Sequence, residues 1–272
     1  MGANRSHPRG ARPGWFLLAV LAWTWGFLWP ATLTGQAWLA FPTVLLTVAG
    51  MVGPLLVTLL FVAAGLWDAP PGAFWRQALD PRRVAGRWHL VAVALAVVLA
   101  GGPVLLAAAG RGEPPWALVT GSTLPAYLLV GALAGVVEEP AWRGYAQVGL
   151  QRRLPVVAAT LVVGLAWAAW HLPLFFLEGT YQATLGVGTP GFWSFHAAIL
   201  LGSFVYAWLV GTSGTAVVAV VYHASSNVLR EAWSVDGAEV AALVTEGLLA
   251  VVLVGLGWRW MGRPLGECVD GR

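Results

Sequence analysis

Apolar residues run in stretches of roughly twenty along the chain, each broken by Arg, Asp, Glu or a Gly/Pro cluster. A bilayer core about 30 Å thick takes about 20 helical residues at about 1.5 Å each, so these runs predict membrane-spanning helices. Eight emerge, at about 15–34, 38–66, 88–109, 119–138, 154–177, 194–211, 214–231 and 240–261. The second contains Pro42, Gly50, Gly53 and Pro54 and is expected to kink or to continue past the bilayer. Between the second and third, "WDAPPGAFWRQALDPRRVAGR" (67–87) puts Phe74, Trp75, Ala78 and Leu79 at helical spacing, the pattern of a short amphipathic helix at the interface. The Gly- and Pro-containing stretch 178–194 predicts turns. No internal repeat and no long polar block interrupts the series. The expectation is an all-α polytopic membrane bundle of about eight helices, a single membrane-embedded domain over 1–272.

Composition supports this and adds an orientation. The 272 residues are 58% hydrophobic and 10% charged, with a mean hydropathy of +0.74, whereas soluble domains carry about 25% charged residues. All fifteen basic residues are Arg. With a cytoplasmic N-terminus, the inside segments hold twelve of them, and the outside loops hold only Arg111 and Arg230. That asymmetry predicts two cytoplasmic ends. The Arg-only usage fits a GC-rich bacterial source and a location in the bacterial cytoplasmic membrane. A net charge of +3 spread over loops gives no basic face for nucleic acid, leaving the lipid bilayer as the expected environment. The lone Cys268 excludes an internal disulfide framework. The Arg-rich start leads into a long Trp-rich run without an A-x-A exit, which reads as an uncleaved first span.

An ionisable group near the middle of a spanning helix costs about 2.5–3.5 kcal/mol on insertion scales and usually faces other protein or a wet cavity. Glu138, Glu139 and Arg143 lie around the end of the fourth run, in "VVEEPAWRGY". His171 lies in the fifth run, and His223 in the seventh with Asn227 one turn beyond it. Three separate helices supply these groups, which suggests convergence on one site. Glu139 and Arg143 are four apart, so they share a helix face and can pair, while Glu138 is rotated by about 100° and points elsewhere. The expected partners of Glu138 are the two His residues, a pairing that would poise a carboxylate to take a proton from water. His223 and Asn227 present two hydrogen-bond donors from one face, as an oxyanion hole requires. Singly, each feature has a plain structural reading: a solvated ion pair at a helix end, a packing His, an interhelical amide bond. Glu246 reads as interfacial or as facing the bundle, the first being favoured; His196 and His89 read as interfacial, and the seventeen Trp residues as interface anchors and lipid-facing bulk.

Taken together, the motifs match a known pattern. "EEPAWR", "WAAWH" and "HASSN" resemble, in order, the E-E-x-x-x-R, F-x-x-x-H and H-x-x-x-N motifs of the CAAX prenyl endopeptidase and Abi family of intramembrane proteases, also called CPBP. The motif-bearing core covers about 119–231. One position departs from the pattern, because Trp167 stands where the family has Phe; it lies one turn before His171 and would still pack beside it.

The resemblance implies an endopeptidase in which Glu138 and His171 activate a water. Arg143 and Glu139 would hold the site together, and His223 with Asn227 would stabilise the tetrahedral oxyanion. It implies a membrane protein or lipidated peptide as substrate and a site opening towards the cytoplasm. Glu138, His171 and His223 would make an acceptable zinc shell, yet no H-E-x-x-H helix is present and the favoured reading needs no obligatory metal. The same buried Glu and His residues would also serve a small transporter or proton-coupled channel, against which stands the lack of an inverted repeat. A third reading is a catalytically idle member that binds other membrane proteins.

Overall fold

The computed structural model describes residues 10–118, 125–233 and 238–263. All eight predicted runs are helical within that range, and no strand occurs among the described residues. Residues 119–124 of the fourth run, His7 and Cys268 lie outside the described residues. Helix α1 (Pro13–Thr32) opens with proline in its first turn, where the missing N–H costs nothing. The second run is α2 (Thr43–Met51) followed by α3 (Gly53–Ala63), bent by 47° at the break. Glycine sets that geometry: a Cβ on Gly53 would lie 2.6 Å from Trp23 and 2.7 Å from Thr24 of α1. Thr24 uses the close approach to donate to the Gly50 carbonyl at 3.0 Å.

The interfacial helix α4 (Pro71–Leu79) forms as the spacing predicts, with Phe74 and Ala78 buried and Arg76 and Gln77 exposed. It is followed by α5 (Gly86–Arg111). The fourth run differs from expectation. Helix α6 (Pro125–Glu139) does not end at its charged residues but continues as a π-helix (Pro140–Gln147) and then as α7 (Val148–Gln151). Pro140 has no N–H to donate back one turn, and the wider π register absorbs the lost bond without breaking the helix. The carboxylates therefore sit in mid-helix, and the solvated ion pair at a helix end is excluded.

Helix α8 (Val156–Trp170) stops earlier than predicted. His171 begins a tighter 3₁₀ turn, Leu172–Phe176, that accommodates Pro173. After the short α9 (Tyr181–Leu185), Thr189 accepts a hydrogen bond from the Phe192 N–H at 3.2 Å and caps α10 (Pro190–Ser213). The last helices are α11 (Val217–Ala232) and α12 (Glu239–Met261).

Among the described residues, five helical stretches are long and apolar enough to cross a membrane, or six when the bent α2–α3 pair is counted as one span. The shorter α6 and α11, of 15 and 16 residues, carry Glu138, Glu139, His223 and Asn227. Leu90, Val251 and Leu256 are each more than 70% exposed, as lipid-facing positions should be. Inside, α11 packs on α5 and α6, α10 on α8 and α12, and α1 on α2 and α3. Under the π-helix, Tyr145 stacks on Phe16 at 4.2 Å and meets Phe61, Trp67 and Phe74. Its hydroxyl donates to the Leu66 carbonyl. This aromatic plug ties the π-helix to α1, α3 and α4.

Candidate functional site

Close approach of α6 and α11 builds the site. A Cβ on Gly135 would lie 2.7 Å from the Val220 carbonyl oxygen and 3.4 Å from His223 Cβ, and one on Gly131 would lie 3.0 Å from Asn227 Cβ. Two glycines four apart thus let one backbone rest on the other, the small-xxx-small solution to helix packing in lipid. At this distance His223 Nδ1 reaches Glu139 Oε1 at 2.7 Å. A carboxylate oxygen accepts, so Nδ1 carries the hydrogen and Nε2 faces away from Glu139. The other oxygen of Glu139 forms an ion pair with Arg143 Nε at 3.5 Å, longer than a good hydrogen bond.

Arg143 is 1% exposed and lies between two rings, its guanidinium carbon 4.3 Å from the Trp167 centroid and 4.0 Å from that of Tyr206. Its Nη2 also reaches Ser203 Oγ at 3.4 Å. These cation–π contacts are strongest where water is excluded, as here. Glu138 is 5% exposed, and its Oε2 accepts a 2.8 Å hydrogen bond from the Trp167 indole N–H. His171, half-buried at the end of α8, donates from Nδ1 to the Trp167 carbonyl at 2.9 Å. Because a carbonyl only accepts, the neutral ring keeps its Nε2 lone pair free. Asn227 donates to the Gly131 carbonyl at 3.4 Å, which leaves the second amide hydrogen available.

Residues 120–229, which hold all of these groups, match the family model described as Type II CAAX prenyl endopeptidase Rce1-like. A relative, "CAAX prenyl protease 2" of Methanococcus maripaludis, is 27% identical over 124 residues, covering 44% of this chain and 44% of the relative. The chain thus spans less than half the length of the curated relative it matches.

The structure brings Glu138, Glu139, Arg143 and His223 into one buried cluster. His171 joins it through Trp167, 5.8 Å ring to ring, and Asn227 flanks it one turn along α11. The partner assignment corrects the sequence reading. His223 pairs with Glu139, while Glu138 is held by Trp167 rather than by a His. Helical spacing fixes neighbours within a helix, but the rotation of α11 against α6 is set by the glycine contacts. The departure at Trp167 matters more than ring packing suggested, because phenylalanine could not donate to Glu138. Ser203 and Tyr206, one turn apart on α10, were missed altogether; their only sequence signal is a polar pair on one face of an otherwise apolar helix. Among the described residues, no group of three His, Cys, Asp or Glu side chains is arranged to hold a metal ion. Glu138, His171 and His223 do not fit as a zinc shell in this arrangement.

Proposed function

We propose that the protein is an intramembrane endopeptidase of the CAAX prenyl protease type, hydrolysing a peptide bond in a membrane-associated or lipidated substrate. The observation that carries this reading is the buried cluster in which Glu139 orients His223 while Glu138 stands beside them on an indole N–H. A lone structural ion pair would need neither the second carboxylate nor the imidazoles. In the mechanism, a water held by Glu138 loses a proton towards the carboxylate or the free Nε2 of His171, and its oxygen attacks the scissile carbonyl. The resulting oxyanion accepts from the spare Asn227 N–H and from His223 once its Nε2 carries a proton. Collapse breaks the C–N bond, and the proton taken from water passes to the leaving amine. Arg143, pinned between Trp167 and Tyr206, keeps Glu139 and therefore His223 in register.

The test is cleavage of a membrane-anchored reporter in proteoliposomes. Glu138→Ala, His171→Ala and His223→Ala should each abolish turnover while the proteins still insert. Asn227→Ala should lower the rate by about 10²–10³. Wild-type turnover by Glu138→Ala would rule the mechanism out. Comparing membrane peptides from cells carrying wild type or Glu138→Ala identifies the substrate, as the fragment produced by the wild type alone.

A further inference from the structure

Residues 76–87 hold four arginines, Arg76, Arg82, Arg83 and Arg87, against a single acid, Asp80. All four arginines are exposed, and among the described residues none of their guanidinium groups makes an ion pair or a hydrogen bond to the protein. Asp80 does not offset them: its Oδ1 accepts the Arg82 backbone N–H at 3.0 Å and caps the 3₁₀ turn Pro81–Arg83. That turn is folded against the start of α5, where His89 Nε2 donates to the Pro81 carbonyl at 3.4 Å. Arg82, Arg83 and Arg87 therefore share one corner, and Arg76 stands on the α4 face turned by about 200° from the buried Phe74. Leu90, 73% exposed, begins the lipid-facing side of α5 about 4.5 Å along the axis from Arg87. The cluster thus lies at the depth of the lipid headgroups, where basic side chains anchor a membrane protein.

The other face of α4 gives this cluster a consequence. Phe74 and Ala78 close over Gly144 of the π-helix, 3.5 and 3.6 Å from where its Cβ would stand. Thr215 Oγ1 donates to the Gln77 carbonyl at 2.6 Å, and the Phe74 ring meets Trp67 edge-on at 5.2 Å. Helix α4 is thus a nine-residue cover on the π-helix, packed by its inner face and charged on its outer one. Like charges gathered without a carboxylate are stabilised by anions, and at the edge of a bilayer the anions at hand are phospholipid phosphates. We infer that residues 76–87 form a docking surface for anionic phospholipid headgroups, and that lipid held there keeps α4 seated on the π-helix. Positive charge that served membrane orientation alone would show no preference between headgroups. The surface lies outside the family-matched residues 120–229, and the inference stands without the peptidase reading.

The experiment uses the full chain in mixed micelles and in nanodiscs, with phosphatidylglycerol and phosphatidylcholine as the probes. The wild type should bind phosphatidylglycerol in preference to phosphatidylcholine, with an affinity that falls as ionic strength rises. Arg82→Gln/Arg83→Gln should lower the phosphatidylglycerol affinity by about fivefold per arginine. Arg259→Gln/Arg263→Gln, which removes two exposed arginines at the end of α12, should lower it by less than about twofold. Since the guanidinium groups of Arg82 and Arg83 have no protein partner, Arg82→Gln/Arg83→Gln should keep the wild-type melting temperature in neutral detergent. Hydrogen exchange of the α4 amides should be slower in phosphatidylglycerol than in phosphatidylcholine nanodiscs for the wild type, and alike in both for Arg82→Gln/Arg83→Gln. Equal affinity for the two lipids, equal losses in the two double variants, a lowered melting temperature of Arg82→Gln/Arg83→Gln, or exchange of α4 that ignores the lipid would each overturn the inference. Displacement of the lipid by inorganic phosphate beyond the effect of chloride at equal ionic strength would make this a free-phosphate site and overturn it as well.

Discussion

Replacing Gly135 with alanine should disable the protein by geometry alone. The added Cβ would lie 2.7 Å from the Val220 carbonyl oxygen, and ordinary contact begins near 3.4 Å, so a shortfall of about 0.7 Å has to be made up. The obstructing atom is backbone, so no side-chain rotation relieves it; α6 and α11 must separate or twist. The same displacement would stretch the 2.7 Å His223–Glu139 bond towards 3.4 Å, where a hydrogen bond is much weaker. Overpacking of this kind costs about 1–3 kcal/mol, and a shift approaching 1 Å at a catalytic group costs up to about 10² in rate. Reporter cleavage in proteoliposomes and thermal unfolding in detergent read the two effects. Gly26→Ala is the control, since nothing lies within 4 Å of a Cβ there, and it should leave both unchanged. A Gly135→Ala protein with wild-type turnover and melting temperature would refute the claim that this helix contact sets the site.

Trp167→Phe installs the ring of the matched motif but deletes the 2.8 Å bond to Glu138; hydrogen bonds to a charged group contribute about 1.5–3 kcal/mol to stability, so the melting temperature should fall, and kcat should fall at least about tenfold as Glu138 loses its donor. Equal kcat would mean that Glu138 needs no indole donor. Arg143→Ala strands Glu139 in a site where both side chains are at most 1% exposed, and should destabilise by about 3–5 kcal/mol in equilibrium unfolding; a loss under 1 kcal/mol would contradict the pairing. Protein purified free of zinc should keep its turnover in chelator, whereas loss of activity together with stoichiometric zinc would overturn the metal-free mechanism.

The fold was legible wherever hydrophobic periodicity decides the outcome. The kink at Pro54 and Gly53 and the interfacial helix around Phe74 and Ala78 follow from rules that act within a few residues. The end of the fourth run was not legible, because charge at Glu138, Glu139 and Arg143 reads as an exit from the bilayer. In the protein those charges compensate one another inside the bundle, and the π-helix carries the chain past Pro140. Hydropathy scores the cost of each charge against lipid and has no way to see a partner on another helix.

The same limit governs the site. Motif spacing identified Glu139 and Arg143 as a pair, since that contact is intrahelical, but it exchanged the roles of the two carboxylates towards His223. Which carboxylate meets which imidazole depends on the axial rotation of α11 against α6, and Gly131 and Gly135 fix that rotation without any polar atom of their own. Those glycines are therefore as much a part of the candidate site as the residues that bear protons. Substituting a proton-bearing group removes a function and leaves the scaffold in place. Substituting Gly135 leaves every functional group present and moves them apart, so the two classes of variant should differ in how the unfolding temperature tracks the rate.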